Sequence, residues 1–328
     1  MNRARARPLS QVRSRPGLRA LRPADIPWRG WWQIARRFGA GFLDDHLGLV
    51  AAGVAYWSLL ALFPAVTLFV SLYGLFADRA TAAEQARNLA SVLPPDAAGF
   101  LYDEMTRVAA APAGRLGLAG LISFVVVLWG ANRSMKAMIE ALNVAYGERE
   151  TRSLLRVNLE ALGFTLGFVV FGLLSVVLVV AVPPLLDAIR LGPVLEPALS
   201  LARWPLLFGG MMIGTALLYR YGPDRTPPKL IWVTPGSIAA GVLWLLASSL
   251  ISWYAGSFAD FDKTYGSLGA VVVLQTWIWV TALVVITGAK INAEAEHQTA
   301  RDSTVGPPKP MGERGAVVAD SCPPPPAA

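Results

Sequence analysis

From Tyr265 to Ala289 the chain carries no charged side chain; Asp262 and Lys263 stand just before that run, and Lys290, Asn292 and Glu294 close it. As α-helix at ~1.5 Å per residue the run measures about 37 Å, enough to cross a ~30 Å hydrocarbon core with some tilt. Similar apolar runs recur, so the expected fold class is an all-α polytopic membrane protein. Six spans are predicted, at about 47–77, 116–131, 157–189, 202–219, 235–256 and 267–291. At 54% hydrophobic and 16% charged, the 328 residues are too apolar for an ordinary soluble globule.

The net charge of +7 does not point to nucleic acid. Ten arginines lie before residue 40, and most other basic residues sit in short loops between apolar runs, as membrane topology requires. Cys322 is the single cysteine, and His46 and His297 are the only histidines. That excludes a disulfide framework and the usual zinc spacings, and no cofactor motif is present. Residues 1–27 lack the apolar core of a cleavable signal peptide. Asp44 and Asp45 follow the Arg36-Arg37 pair too soon for an export signal.

Along the chain, residues 1–27 read as a disordered basic tail. Trp28, Trp31, Trp32, Ala35, Phe38 and Phe42 then share one side of a helix, opposite Arg29, Gln33, Arg36 and Arg37. This describes a helix in the headgroup layer, or one packed on the protein's own cytoplasmic end. Pro64 predicts a kink in the first span, a static packing feature or a hinge. Residues 78–115 form a polar insertion, divided by Pro94-Pro95 into two short amphipathic helices and placed on the extracytoplasmic side. The second span continues past the bilayer through Met135, Met138, Ile139, Leu142 and Tyr146. Gly163 with Gly167, and Gly210 with Gly214, are small-xxx-small pairs that permit close helix approach. Thr234 is expected to cap the fifth span and Pro235 to begin it. Residues 295–328 read as a disordered Pro-rich tail.

Charge counts orient the spans. The 132–156 loop holds Arg133, Lys136, Arg149, Arg152 and Arg156, and the 220–235 loop holds Arg220, Arg225 and Lys229. The alternate loops hold only Arg190 with Arg203, and Lys263. Six crossings with both termini cytoplasmic follow from the positive-inside rule.

Four segments in order, AAGVAYWSLLALFPAV, WGANRSMKAMIEALNVAYGE, YRYGPDRTPPKLIWVTPGSIAAGVLWLLAS and FADFDKTYGSLGAVVVLQTWIWVTALVVITGAKINAE, resemble the YihY/virulence factor BrkB family. The resemblance covers about residues 30–296. It implies a six-helix protein of the bacterial cytoplasmic membrane, of a family once catalogued as ribonuclease BN and described as a candidate transporter or envelope factor.

Hydrolysis of RNA needs clustered metal ligands or a placed acid and base. The adjacent pairs Asp44-Asp45 and Asp103-Glu104 diverge by about 100° on a helix, so no catalytic residues are assigned. Ionisable groups at the bilayer centre mark ion paths, and none is found there: Glu160, Lys290 and Glu294 all lie near span ends. The expectation is a transporter or flippase-like protein for an envelope lipid or another anionic amphiphile. A non-transporting scaffold is the alternative. The candidate path takes Arg133, Lys136 and Asn143 at the inner face, closed by Lys290, Asn292 and Glu294. Within the membrane it takes Tyr56, Ser58, Ser248, Ser252, Gln275 and Thr281, and at the outer mouth Tyr254, Asp260, Lys263 and Tyr265. Each has a plain structural role open to it as well: loop arginines satisfy topology, serines pack helices and tyrosines sit at interfaces. The expected partners are the bilayer and its lipids, with a homo-oligomer open and no nucleic acid.

Overall fold

The structure is a computed structural model that describes residues 16–76, 113–181, 195–257 and 268–323. Among them every regular element is helical, with one isolated bridge between Pro228 and Thr304. After a short 3-10 turn at Pro23–Asp25 come α1 (Trp28–Asp44), α2 (Leu47–Phe76), α3 (Ala113–Tyr146), α4 (Leu154–Val176), α5 (Leu195–Tyr221), α6 (Leu230–Ser257) and α7 (Leu268–His297). Four stretches are long and apolar enough to cross a membrane: Leu154–Val179, Ala198–Tyr221, Leu230–Tyr254 and Val271–His297. The pair of α1 with Leu47–Leu62, bent by 60° at its break, makes a fifth if counted as one broken span. There His46 takes the left-handed conformation at φ 50°. The expected span at 116–131 lies inside α3, whose uncharged run from Leu116 to Asn132 is at the lower edge of the ~17–25 residues a span needs. The 78–115 insertion, apart from the start of α3, lies outside the described residues.

Two compact units are distinguished. The first comprises Met1–Gly48, Ile139–Leu243 and Leu283–Ala328. Its tightest helix crossing is between α6 and α7, at Gly236 and Gly288. A Cβ on Gly236 would collide with the Gly288 carbonyl oxygen and the Asn292 amide, and one on Gly288 would strike the Tyr219 hydroxyl. With no side chain at either position, Asn292 reaches across to accept from the Gly236 amide (2.7 Å) and donate to the Val233 carbonyl (3.1 Å). Ala20, Ile26, Ile34, Trp232 and Ala295 form a buried cluster beside which Trp31 packs.

The second unit comprises Leu49–Met138 and Trp244–Ala282. Pro64 sits inside α2, which runs through it. A Cβ on Gly130 of α3 would come within 2.9 Å of the Ala61 Cβ on α2, so small residues set that contact. Between the parts of α6 and α7 in this unit, two indoles exchange hydrogen bonds. Trp244 donates to Thr281 (3.2 Å) and Trp277 donates to Ser248 (3.1 Å).

Three expectations are corrected. The fifth span does not begin at Pro235: α6 starts at Leu230, Pro235 lies inside it, and Thr234 donates back to the Leu230 carbonyl (3.0 Å) in place of capping. Pro235 forgoes the one bond its missing N–H would make to Ile231, and the helix continues through it. The tail after residue 294 is not disordered over its described length. Arg314, 5% exposed, donates to the carbonyls of Ala300, Arg301, Lys309 and Ala319. Asp320 accepts from the amides of Gly312, Arg314, Gly315 and Ala316. Residues 16–27 are also packed: Leu18, Ala20 and Ile26 are buried, and Thr299 donates to the Ala20 carbonyl (2.7 Å). The C-terminal segment is held largely by backbone groups and single charges, and residues 16–27 by a few scattered apolar side chains, so neither leaves an apolar periodicity to read.

Candidate functional site

The first unit contains a cavity of about 680 Å³ between α4 and α5. α4 begins at Ser153, whose hydroxyl accepts from the Arg156 amide (3.4 Å), and continues beyond Val176 into a π turn at Val177–Ala181. Its membrane-facing surface is exposed at Leu166, Val169, Val170, Leu173 and Leu174, as befits a helix against lipid. α5 approaches α4 closely at Gly210, where a Cβ would lie 2.6 Å from the Phe171 ring. Toward the start of α4 and the end of α5 the two part. Gly163, Gly167 and Gly214 have nothing within 4 Å of a built Cβ, and all three line the cavity. The glycine pairs expected to bring helices together thus leave a void here, except at Gly210.

The cavity is amphipathic along its length. Its shaft is walled by Phe164, Phe168, Phe171, Met211, Ile213 and Leu217. Its mouth gathers Arg152, Arg156, Arg220 and Arg225 with two carboxylates, Glu160 and Asp224, an excess of positive charge. Arg152 is the hub. Its guanidinium donates to Glu150 (2.8 and 2.7 Å) and the Gly222 carbonyl (2.9 Å), pairs with Glu160, and lies 3.7 Å from Asp224. Arg152 is therefore raised above the ordinary arginine value, chiefly by Glu150, and Glu150 is lowered, chiefly by Arg152. Burial pushes the Asp224 carboxyl up, but the amide and hydroxyl of Thr151, each 2.6 Å away, help to outweigh it and hold the carboxyl low. Asn143 joins the two loops, donating to Glu150 (2.9 Å) and accepting from the Asp224 amide (2.7 Å).

Beneath the mouth Arg225 and Glu296 pair out of solvent, over the Tyr146 ring. The loop between α5 and α6 is tied to the C-terminal segment: Thr226 donates to the Gly315 carbonyl (2.8 Å), Lys229 to Ser303 (2.8 Å), and Val305 to Pro227 (3.0 Å). The mouth is thus set by parts of the chain far apart in sequence.

The residues expected to line a path are placed as follows. In the first unit Asn143 and Asn292 link backbone segments. Lys290 pairs with Asp45 (2.7 Å) and stands 3.5 Å from Glu294, which accepts from Arg37 (2.7 Å). In the second unit Arg133 is stacked 5.5 Å from the Trp57 ring and 5.4 Å from the Trp129 ring, with Lys136 one turn further along α3. Ser58 and Ser134 have their hydroxyls 2.6 Å apart. Ser248 and Thr281 accept from the two indoles, and Tyr56, Ser252 and Tyr254 are exposed. The Gln275 side-chain oxygen is buried without a hydrogen-bond partner among the described residues. Asp260, Lys263 and Tyr265 lie outside the described residues.

None of the described path residues lines the cavity. Its arginines read in the sequence as topology signals and its glycines as packing signals. The signal that could have found it is their combination: a Gly-xxx-Gly pair on each of two successive spans, both ending in arginines. Among the described residues no group of three His, Cys, Asp or Glu converges as metal ligands.

Comparison with known proteins gives one family, described as "Virulence factor BrkB", which matches residues 38–311. A Bacillus subtilis (strain 168) protein named as ribonuclease-like, YfkH, is 29% identical over 250 residues, covering 74% of this chain and 88% of that protein. A UPF0761 membrane protein of Stenotrophomonas maltophilia (strain K279a) is 31% identical over 259 residues, covering 77% of this chain and 58% of the relative. Another, from Verminephrobacter eiseniae (strain EF01-2), is 28% identical over 278 residues, covering 82% and 62%. The chain therefore spans about three fifths of the length of these two UPF0761 relatives. No solved structure matches.

Proposed function

The chain belongs to the virulence factor BrkB family of membrane proteins, and on that premise we propose that it takes an anionic amphiphile from the bilayer and moves it between leaflets. In this reading it crosses the bacterial cytoplasmic membrane six times with both termini inside, as the distribution of lysine and arginine supports. The observation that carries the reading is the groove between α4 and α5, an apolar shaft opening to lipid with a cationic mouth at one end. An amphiphile can leave its chains in such a shaft while its headgroup meets the arginines, with no charge carried through hydrocarbon unaccompanied.

The reading excludes bond cleavage. Glu150, Glu160 and Asp224, the carboxylates around the mouth, are engaged by Arg152, Arg156 or Thr151, which suits a fixed frame better than a base that must take up a proton. The ribonuclease-like name belongs to the Bacillus relative.

Reconstitution into liposomes with fluorescent phospholipid in both leaflets tests the proposal. Protein-containing vesicles are expected to expose inner-leaflet label to an impermeant quencher faster than empty ones. Vesicles that stay at the empty-vesicle rate while the protein remains folded would remove the reading.

A further inference from the structure

We propose that Arg220 is the headgroup-binding residue of the groove, and that the occupant is a monoanionic phosphodiester lipid held at one leaflet's depth. This rests on the reading of the groove as an amphiphile site and names its ligand class.

The four arginines at the mouth are not equivalent. Arg152 is enclosed by Glu150, Glu160 and Asp224, and Arg156 donates to Glu160 (2.8 Å). Arg225 is matched by Glu296 with both side chains at 0% exposure. Arg220 meets no carboxylate among the described residues, and its buried Nε has no acceptor there. Its guanidinium lies 5.2 Å from the Tyr221 ring, which orients the plane without neutralising the charge. With no carboxylate beside it, the Arg220 charge is unmatched, and a phosphate oxygen pair fits the guanidinium fork in shape and charge. One unmatched cation matches one negative charge, which favours a phosphodiester over a polyanion.

Length supplies the second argument. From Arg220 back to Gly210, where Phe171 closes the groove, α5 rises about 15 Å at ~1.5 Å per residue. That is half of a ~30 Å hydrocarbon core, the depth of one leaflet. A phosphate on Arg220 therefore places an acyl chain along Leu217 and Ile213 as far as Phe171. Leu217, Ile213 and Phe168 are exposed on the lipid side, so a chain can enter sideways. A free phosphate would occupy the mouth alone and leave the apolar shaft unused.

The test uses the full chain in nanodiscs of phosphatidylcholine, loaded with trace photoactivatable phosphatidylglycerol or phosphatidylcholine. Wild type is expected to crosslink the anionic lipid within α4 and α5 about tenfold more than the zwitterionic one. Arg220→Gln should abolish that preference, and Arg220→Lys, which keeps the charge without the fork, should keep only part of it. Gly214→Leu, which enters open space, should reduce crosslinking of both lipids. An unchanged preference in Arg220→Gln, with Gly214→Leu still blocking, overturns the assignment of Arg220 and leaves the amphiphile groove standing. If Gly214→Leu alters nothing while the protein melts as wild type does, the groove itself is not the site. Displacement of the lipid by millimolar glycerol phosphate at no loss of Gly214→Leu binding would assign the mouth to a soluble phosphate and overturn the proposal.

Discussion

Arg225 and Glu296 form an ion pair in which neither side chain reaches solvent: Nη2 lies 2.6 Å from Oε2, and the guanidinium carbon sits 4.9 Å from the centre of the Tyr146 ring. Ser303 donates to the same carboxylate oxygen (2.8 Å), so the pair joins the α5–α6 loop, the end of α3, α7 and the C-terminal segment. Removing one partner leaves a buried charge without its counter-ion, a loss of roughly 3–5 kcal/mol. Glu296→Ala or Arg225→Ala is therefore expected to lower the melting temperature in detergent sharply. Replacing both with apolar residues should recover much of it. A melting curve for Glu296→Ala that overlays wild type would contradict this account.

The crossing at Gly236 and Gly288 predicts a contrast among glycines. Gly236→Ala forces a Cβ into the Gly288 carbonyl and should destabilise by about 1–3 kcal/mol or more. Gly214→Ala meets nothing and should be neutral or stabilising by up to ~1 kcal/mol through helix propensity. Parallel thermal unfolding of the two variants checks the difference, and equal effects would refute it.

Limited proteolysis checks the C-terminal segment. Asp320 holds four backbone amides; burial alone would raise its carboxyl, but these donors outweigh it and lower it below the ordinary 3.8. A depressed folded value means the stabilisation is complete above about 3.8 and fades as pH falls through the lower folded value. At neutral pH wild type should resist trypsin at Arg301 and Arg314. Asp320→Asn should be cut there, and rapid cleavage of the wild type would disprove the packing.

Cys322 is a native topology probe, half-buried and alone in the chain. With both termini inside, an impermeant maleimide should label it in permeabilised but not intact cells. In a Cys322→Ser background, a cysteine placed within 78–112 should give the reverse pattern. Labelling of Cys322 on intact cells would invert the proposed orientation.

What the sequence disclosed and withheld has a physical pattern. The apolar runs announce helices, and the alternation of aromatics and arginines from Trp28 announces α1. There the two expected settings are divided between two surfaces: Trp28 and Trp32 are exposed, while Ile34 is buried and Arg37 reaches Glu294. The order of residues 298–323 was hidden because Arg314 and Asp320 act on backbone groups, whose positions no side-chain pattern encodes. The groove was hidden for a different reason. Gly163 and Gly214 have the same spacing as packing glycines, and only the third dimension shows that no helix comes to meet them.

The tie between Thr226 and Gly315 carries one further consequence. During synthesis α4 and α5 leave the ribosome long before residues 300–320 exist, so the groove must first sit in the bilayer with its Asp224–Arg225 rim unbraced. The cationic rim acquires its final shape only when residues 300–320 dock, so it is completed by a stretch of chain made well after the helices that carry it.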